Sequence, residues 1–282
     1  MSIYLRDIPL DEAQARFAQA LEEAGLGAIL GIDEMPLDEQ AVGRVLAEPV
    51  WAKISSPHYH ASAMDGFAIR SIQTETANLN TPVTLLIPEQ ALYVDTGDPL
   101  PVWANAVIPI ENVEQVGENG LPAEDLRHPR AIRIRAAVTP WSHVRPLGED
   151  MVATQLVLPT GQVLRPVDLG AVAACGHTKL RVAKRPRVAI IPTGTELVPI
   201  GQEVKAGDII EYNSLVLAAQ VNGWGGTAQR YPITPDQFDS ICSVVEKAAQ
   251  ENDLVLLNAG SSAGSEDFSA QVIEKMGRVL VH

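Results

Sequence analysis

The sequence has little of four things, and each shortage removes a class of function. Cysteine occurs twice in 282 residues, as Cys175 and Cys242, with no C-x-x-C pair. That excludes a disulfide framework and a cysteine-rich zinc module, and it predicts a reduced, cytoplasmic setting. Aromatic residues make up 5%, which is sparse material for the stacking platforms of single-strand nucleic-acid binders. Lysine and arginine number 21 against 35 acids, for a formal charge of −14, and such a field repels nucleic acid and anionic membranes. No apolar run approaches the roughly 18 residues of a membrane span. The opening "MSIYLRDIPLDEAQ" also lacks a cationic stretch followed by an apolar one, so neither a targeting segment nor a membrane partner is expected.

What is present describes a folded, multidomain chain. Hydrophobic residues make up 46% and charged residues 20%, as in ordinary globular proteins, and the length suits about two domains. Twenty prolines and 21 glycines predict many short elements joined by turns. The first fifty residues predict two helices, each entered through Pro-Leu-Asp-Glu, at 9–12 and at 36–39. In the first, Ala13, Phe17, Leu21 and Ala24 recur at helical spacing, and Gly25 and Gly27 supply a stop.

From 51 to 143 the pattern becomes short β-branched runs, "TPVTLLI", "ALYVDTG", "NAVIPIENV" and "AIRIRAAV", the signature of a compact all-β module. A mixed stretch follows, with a Thr-Gly turn at 160–161 and a short helix near 167–175. Residues 1–50 and 144–184 are therefore expected to form one helical or mixed domain into which the module 51–143 is inserted. From 185 to 282 strands alternate with helices: strand "RVAIIP", a helix from Ser214, strand "TAQRYP", a helix from Asp236, strand "DLVLLN", a helix from Asp267, strand "RVLVH". That order predicts a parallel, doubly wound sheet and an α/β multidomain fold class. The basic runs at 127–135 and 179–187 interleave charge with apolar residues and read as solvated strand faces, not phosphate patches.

Candidate chemistry gathers in three places. In doubly wound sheets ligands sit beyond the C-terminal strand ends, which here carry "TGTE" and "AGSSAGSED". The second is a Gly/Ser/Ala run in which Gly260, Ser261, Ser262 and Gly264 can offer backbone N–H groups to a phosphate, with a plain flexible connector as the alternative. Acids stand in turn contexts: Asp65 in "SAMDG", Asp150 in "GED", Glu196, Asp236 and Asp267. Such carboxylates can hold Mg²⁺ against phosphate oxygens, and each also reads as a helix cap or turn residue. His58 and His60 would share one face of a strand as metal ligands do, without a third ligand nearby. No serine-hydrolase elbow, H-E-x-x-H or Walker loop is present.

Read in order, "SAMDGFAIR", "VDTGDPLPVWANAVIPIE", "VRPLGEDM", "RPRVAIIPTGTELV", "VKAGDIIEYNSLVLAA" and "NAGSSAGSEDF" resemble the MoeA/gephyrin E-domain family over nearly the whole chain. The resemblance implies insertion of molybdate into adenylylated molybdopterin, with Mg²⁺-dependent release of AMP, in molybdenum-cofactor biosynthesis. It implies catalytic roles for Asp65, Glu196 and Asp267, and substrate contacts from Thr96, Asp150, Asn213 and the Gly260, Ser261, Ser262 and Gly264 loop. Mg²⁺ ligands would come from Asp65, Glu111, Asp236 and Asp267. It further implies a homodimer, its cleft between the β module of one subunit and the α/β domain of the other, and an adenylyltransferase that supplies the substrate.

Three departures stand out. Glu211-Tyr212-Asn213 replaces the family's Asp-Ser-Asn, Asn258-Ala259-Gly260 replaces Ser-Gly-Gly, and the sequence ends at His282 before the family's Pro-Gly-Lys-Pro loop. The last predicts a piece of a longer protein. Two other classes remain open: a non-catalytic molybdopterin-binding or scaffold module of the same fold, and a generic nucleotide-dependent α/β enzyme.

Overall fold

The computed structural model describes residues 8–259 and 268–281. The chain divides into two compact units, one made of 36–39 and 48–180, the other of 1–35, 40–47 and 181–282.

The first unit is built on two three-stranded antiparallel sheets. One has the order Ala91–Val94, Gly66–Ile69, Ala106–Pro109, the other Val83–Leu86, Ala131–Ile134, Glu114–Val116. Alternation in Gly66–Ile69 sends Phe67 and Ile69 to one face, where they meet Ile108, Leu85, Ile132 and Ile134. Ala68 goes to the other, against Val94 and Val107. Gly66 has a local reason: a Cβ there would lie 2.0 Å from the Ile108 carbonyl oxygen. The "MDG" glycine is thus what lets the chain turn from Asp65 into a central strand pressed on its neighbour. The helix Pro166–Ala174 starts with proline in its first turn, and buried Asp168 reaches back to the Arg165 N–H.

In the second unit the parallel sheet has the order Thr227–Arg230, Arg187–Pro192, Leu254–Asn258. The central strand is covered on both faces, which is why "VAII" is unbroken in apolar character. Val188 and Ile190 pack on Ala218 and Val221 of helix Asn213–Gly223. Ala189 and Ile191 pack on Ala248 of helix Phe238–Glu251. A further helix, Ser269–Met276, adds Val272 to that second face. The doubly wound α/β arrangement is as expected.

Four expectations need correction. The first helix forms over Leu10–Glu23, but 36–39 opens only a single 3₁₀ turn, Glu39–Ala41. The helix-start signal is cut short by Gly43 at φ +79°, and the residues before it, Ile32–Pro36, are a strand. Asp236 is not a first-turn acid: the helix begins at Phe238, and Asp239 holds that place. Residues 278–281 form no strand. His58 lies on a bend after Pro57 and His60 in irregular chain, neither of them in a strand. His60 Nδ1 accepts the Leu147 N–H at 2.9 Å, a structural bond that occupies one possible ligand atom.

Candidate functional site

Two groups of side chains, one in each unit, have the make-up of a site. In the β-sheet unit the "SAMDG" and "DTGDPLP" segments meet. Thr96 donates both its N–H and its Oγ1–H to Asp65 Oδ1, each at 2.7 Å. These bonds, the side-chain one first, hold the Asp65 carboxyl below its ordinary range, and the Arg127 charge adds to them. Asp65 is exposed and ionised at neutral pH, with Oδ1 occupied twice.

The surrounding turns fix that arrangement. Ser62, fully buried, donates its N–H to the Asp98 carbonyl and accepts from the Gly97 N–H, both at 2.9 Å. Gly97 has φ +92°, a conformation that suits glycine. The Asp65 carbonyl accepts the Ile110 N–H at 3.0 Å, which sets Glu111, in the turn Ile110–Asn112, at the same end of the sheet. Tyr93 donates its hydroxyl to Asp95 Oδ1 at 2.8 Å; burial, then this bond, pushes the phenol pKa up. Asp150 lies in the same unit but engages Arg145, 3.6 Å away.

In the α/β unit an open cleft of about 760 Å³ sits beyond the C-terminal ends of the strands Arg187–Pro192 and Thr227–Arg230, where such sheets bind ligands. Gly194, Thr195, Glu211, Arg230 and Tyr231 are among its walls. Its polar element is a buried network. Glu211 Oε1 accepts the Ser214 N–H at 2.7 Å and Oε2 accepts the Ser214 Oγ–H at 2.6 Å. Arg230 donates Nε–H to Ser214 Oγ at 2.8 Å and holds Nη2 3.6 Å from Glu211. Glu211 therefore ties down the first turn of its helix.

Of the expected residues here, Glu196 follows Thr195, and its carbonyl accepts the Ile209 N–H at 2.9 Å. Asn213 is exposed at the helix start, and Asp236 follows the cleft residue Pro235. Asp267, Gly260, Ser261, Ser262 and Gly264 lie outside the described residues.

The structure thus joins Asp65 to Thr96 directly and brings Glu111 to the same sheet end. Sequence reasoning passed over Arg127, Ser214 and Arg230, and it treated Glu211 only as a departure. The E-Y-N-S spacing, an acid three residues before a serine at a helix start, was the available signal. Among the described residues no three His, Cys, Asp or Glu side chains gather to hold a metal ion. The donor set at the Asp65 end is an exposed carboxylate whose Oδ2 accepts no hydrogen bond among the described residues, which suits Mg²⁺ shared with a substrate phosphate and does not suit a protein cage.

Comparison with known proteins agrees along most of the chain. Residues 8–176 match the family model described as the MoeA N-terminal region (domain I and II). Residues 189–282 match one described as a probable molybdopterin binding domain. Molybdopterin molybdenumtransferase 2 of Mycobacterium tuberculosis is 34% identical over 80% of this chain and 56% of its own length. The molybdopterin molybdenumtransferase of Bacillus subtilis is 28% identical over 96% of this chain and 63% of its own. The chain therefore spans less than two thirds of the length of these relatives. A crystal structure of the molybdopterin biosynthesis MoeA protein from Pyrococcus horikoshii superimposes with a TM-score of 0.82 at 31% identity, over 98% of this chain and 68% of that one. With the order of its motifs, the two-sheet unit and the doubly wound unit all matched, the chain belongs to the MoeA family.

Proposed function

We propose that this chain works in molybdenum-cofactor biosynthesis as a molybdopterin molybdenumtransferase, inserting molybdate into adenylylated molybdopterin with Mg²⁺-dependent release of AMP. The observation that carries the reading is the double hydrogen bond from Thr96 to Asp65 Oδ1. It locks together the two most family-specific motifs and leaves an ionised, exposed carboxylate whose second oxygen accepts no hydrogen bond among the described residues.

Asp65 is the central residue of the proposal. Thr96 fixes its rotamer and keeps it charged, so it can orient a substrate without first losing a proton. Mg²⁺, when bound, supplies charge neutralisation at the pyrophosphate. Asp65, Glu111, Asp236 and Asp267 are its proposed ligands. Asp150 and the Gly260, Ser261, Ser262 and Gly264 loop are proposed substrate contacts, and Glu196 and Asp267 complete the proposed catalytic set. Asn213, at the start of the helix Asn213–Gly223, is a further proposed substrate contact, while Glu211 and Ser214 hold Arg230 at the wall of the α/β cleft. The homodimer, the division at 51–143 and 185–282, delivery by an adenylyltransferase and a cytoplasmic location belong to the same proposal.

The test is AMP release from adenylylated molybdopterin with molybdate and Mg²⁺, for the wild-type chain and Asp65→Asn. Wild-type turnover should fall by about 100-fold in the variant, while substrate binding, followed by pterin fluorescence, persists. Binding without any AMP release by the wild type would assign the non-catalytic scaffold instead. Equal rates for wild type and variant would remove Asp65 from the reaction.

A further inference from the structure

The loop before strand Ala131–Ile134 carries a guanidinium to the Asp65 end of the sheet. Asp125 shapes the loop: its Oδ1 accepts the N–H groups of Arg127 at 2.9 Å and His128 at 3.3 Å, and its Oδ2 lies 2.9 Å from His128 Nδ1. The Arg127 guanidinium then stands 5.4 Å from the centroid of the Tyr93 ring, with Nη2 3.8 Å from Asp95 Oδ1. Tyr93 is a fixed support, since its ring meets Phe67 edge-on at 5.5 Å and its hydroxyl is bound to Asp95.

The notable point is how weakly this cation is held by the acids around it. A guanidinium offers five N–H donors in a rigid fork that matches two oxygens of a carboxylate or phosphate. Yet Asp65 Oδ1 already accepts twice from Thr96, and Asp95 Oδ1 accepts from Tyr93. Among the described residues the ion pair of Arg127 is the long contact to Asp95, and its side chain is 60% exposed. The ring orients the fork, the carboxylates keep it nearby, and its donors face solvent.

We propose that Arg127 is the phosphate contact of the Asp65 rim, a bidentate fork for the pyrophosphate of a nucleotide-linked substrate. This rests on the reading of that rim as the substrate site. It adds the residue that holds the anion there, and it explains how a rim of carboxylates on a chain of charge −14 can receive one. The contact is through positioning and charge; no bond forms or breaks at Arg127.

Calorimetric titration of inorganic pyrophosphate and of ADP, at fixed Mg²⁺, into the wild-type chain, R127K, R127Q and R127E provides the test. R127Q should weaken pyrophosphate about tenfold, the loss of one charge-assisted pair. R127E should abolish binding, and R127K should fall between because an ammonium is a point charge and not a fork. The salt dependence of binding should flatten in R127Q, a change that a purely structural role would not produce. In turnover, KM should rise with kcat nearly unchanged. D125A, which frees the loop but keeps the guanidinium, should weaken binding in the same direction.

Pyrophosphate that the wild type does not bind at millimolar concentration, or that R127Q binds equally well, overturns the inference. Arg127-dependent pyrophosphate binding without AMP release sinks the insertase reading alone. AMP release with an unchanged KM in R127Q sinks this inference alone.

Discussion

Asp65 and Glu211 are both carboxylates that receive two hydrogen bonds from one nearby hydroxyl residue, and their settings are opposite. Asp65 is exposed, and both bonds from Thr96 converge on a single oxygen. Glu211 is buried at 6% exposure, and Ser214 divides its two donors between the two oxygens while Arg230 closes the group. The first arrangement orients a charge and leaves half of it available. The second uses the whole charge to fasten a helix start to the neighbouring strand. A carboxylate in a motif is therefore informative about chemistry only after its second oxygen has been accounted for.

The comparison breaks most visibly at Glu211. Glu211→Ala leaves the buried Ser214 N–H and hydroxyl without their acceptor, while Arg230 keeps its bond to Ser214 Oγ, and should lower stability by about 3 kcal/mol. Asp65→Ala should change it by less than about 1 kcal/mol, as expected at an exposed position. Urea midpoints of both variants check the contrast, and equal losses would mean that the two acids do the same work. Next in size is Gly66→Ala. Its Cβ would enter the space of the Ile108 carbonyl, so the central strand must shift, at about 2 kcal/mol. Thermal unfolding measures that, and an Asp65 displaced with the strand should also lose its bonds to Thr96.

Much of this was legible in the sequence because the relevant signals are local. The charge interleaved with Leu180 and Val182 marks a strand with one buried side, as the structure finds. The unbroken "VAII" marks a strand covered on two sides, and the motif order pointed to the family before any contact was seen. The misses share a different cause. Pro-Leu-Asp-Glu at 36–39 carries the same local signal as at 9–12, yet Pro36 ends a strand and the chain makes only a 3₁₀ turn before Gly43 at φ +79°.

Arg127 falls within a run whose later members, Arg133 on the strand Ala131–Ile134 and Arg135 just past its end, both pair with Glu114. Composition could not separate it from them. It differs because Asp125 turns the chain before the strand begins and Tyr93, 34 positions earlier, supplies the ring beneath it. Arg230 was equally hidden, since its meaning comes from Ser214 across a strand–helix pair and from no neighbour in sequence.

A third carboxylate sharpens the contrast between scaffold and site. Asp168 accepts the Arg165 N–H at 2.9 Å, its Nε–H at 3.0 Å and Nη2–H at 2.8 Å. The Arg165 side chain, together with that backbone bond, lowers its pKa from 3.8 to about 2. A pKa depressed in the folded state gives stability that is complete above the unfolded value of 3.8 and is lost as pH falls through about 2. Asp168→Asn should lower stability by about 1 kcal/mol at neutral pH, the size of a lost helix cap. It should also flatten the fall of the urea midpoint between those two pH values. An unchanged slope would show that Arg165 does not hold Asp168 in solution.

The smallest expected effect is the one most specific to Asp65. Thr96→Val keeps the shape of the side chain and the backbone N–H bond but removes the Oγ1–H donor, the largest single cause of the lowered Asp65 pKa. Stability should change by less than about 0.5 kcal/mol, because the group lies at the surface. The pKa of Asp65 must rise toward its ordinary value, since a hydrogen bond that favoured the charged form is gone. If ionised Asp65 takes part in AMP release, the acid limb of the pH–rate profile moves to higher pH in Thr96→Val and stays in place in Thr96→Ser, which restores the donor. The Asp65 carboxyl resonance, followed by NMR through the same pH range, separates the two readings of a null result. A resonance that shifts under an unmoved rate profile would make Asp65 a bystander. An unmoved resonance would mean that the Thr96 hydroxyl does not govern its ionisation.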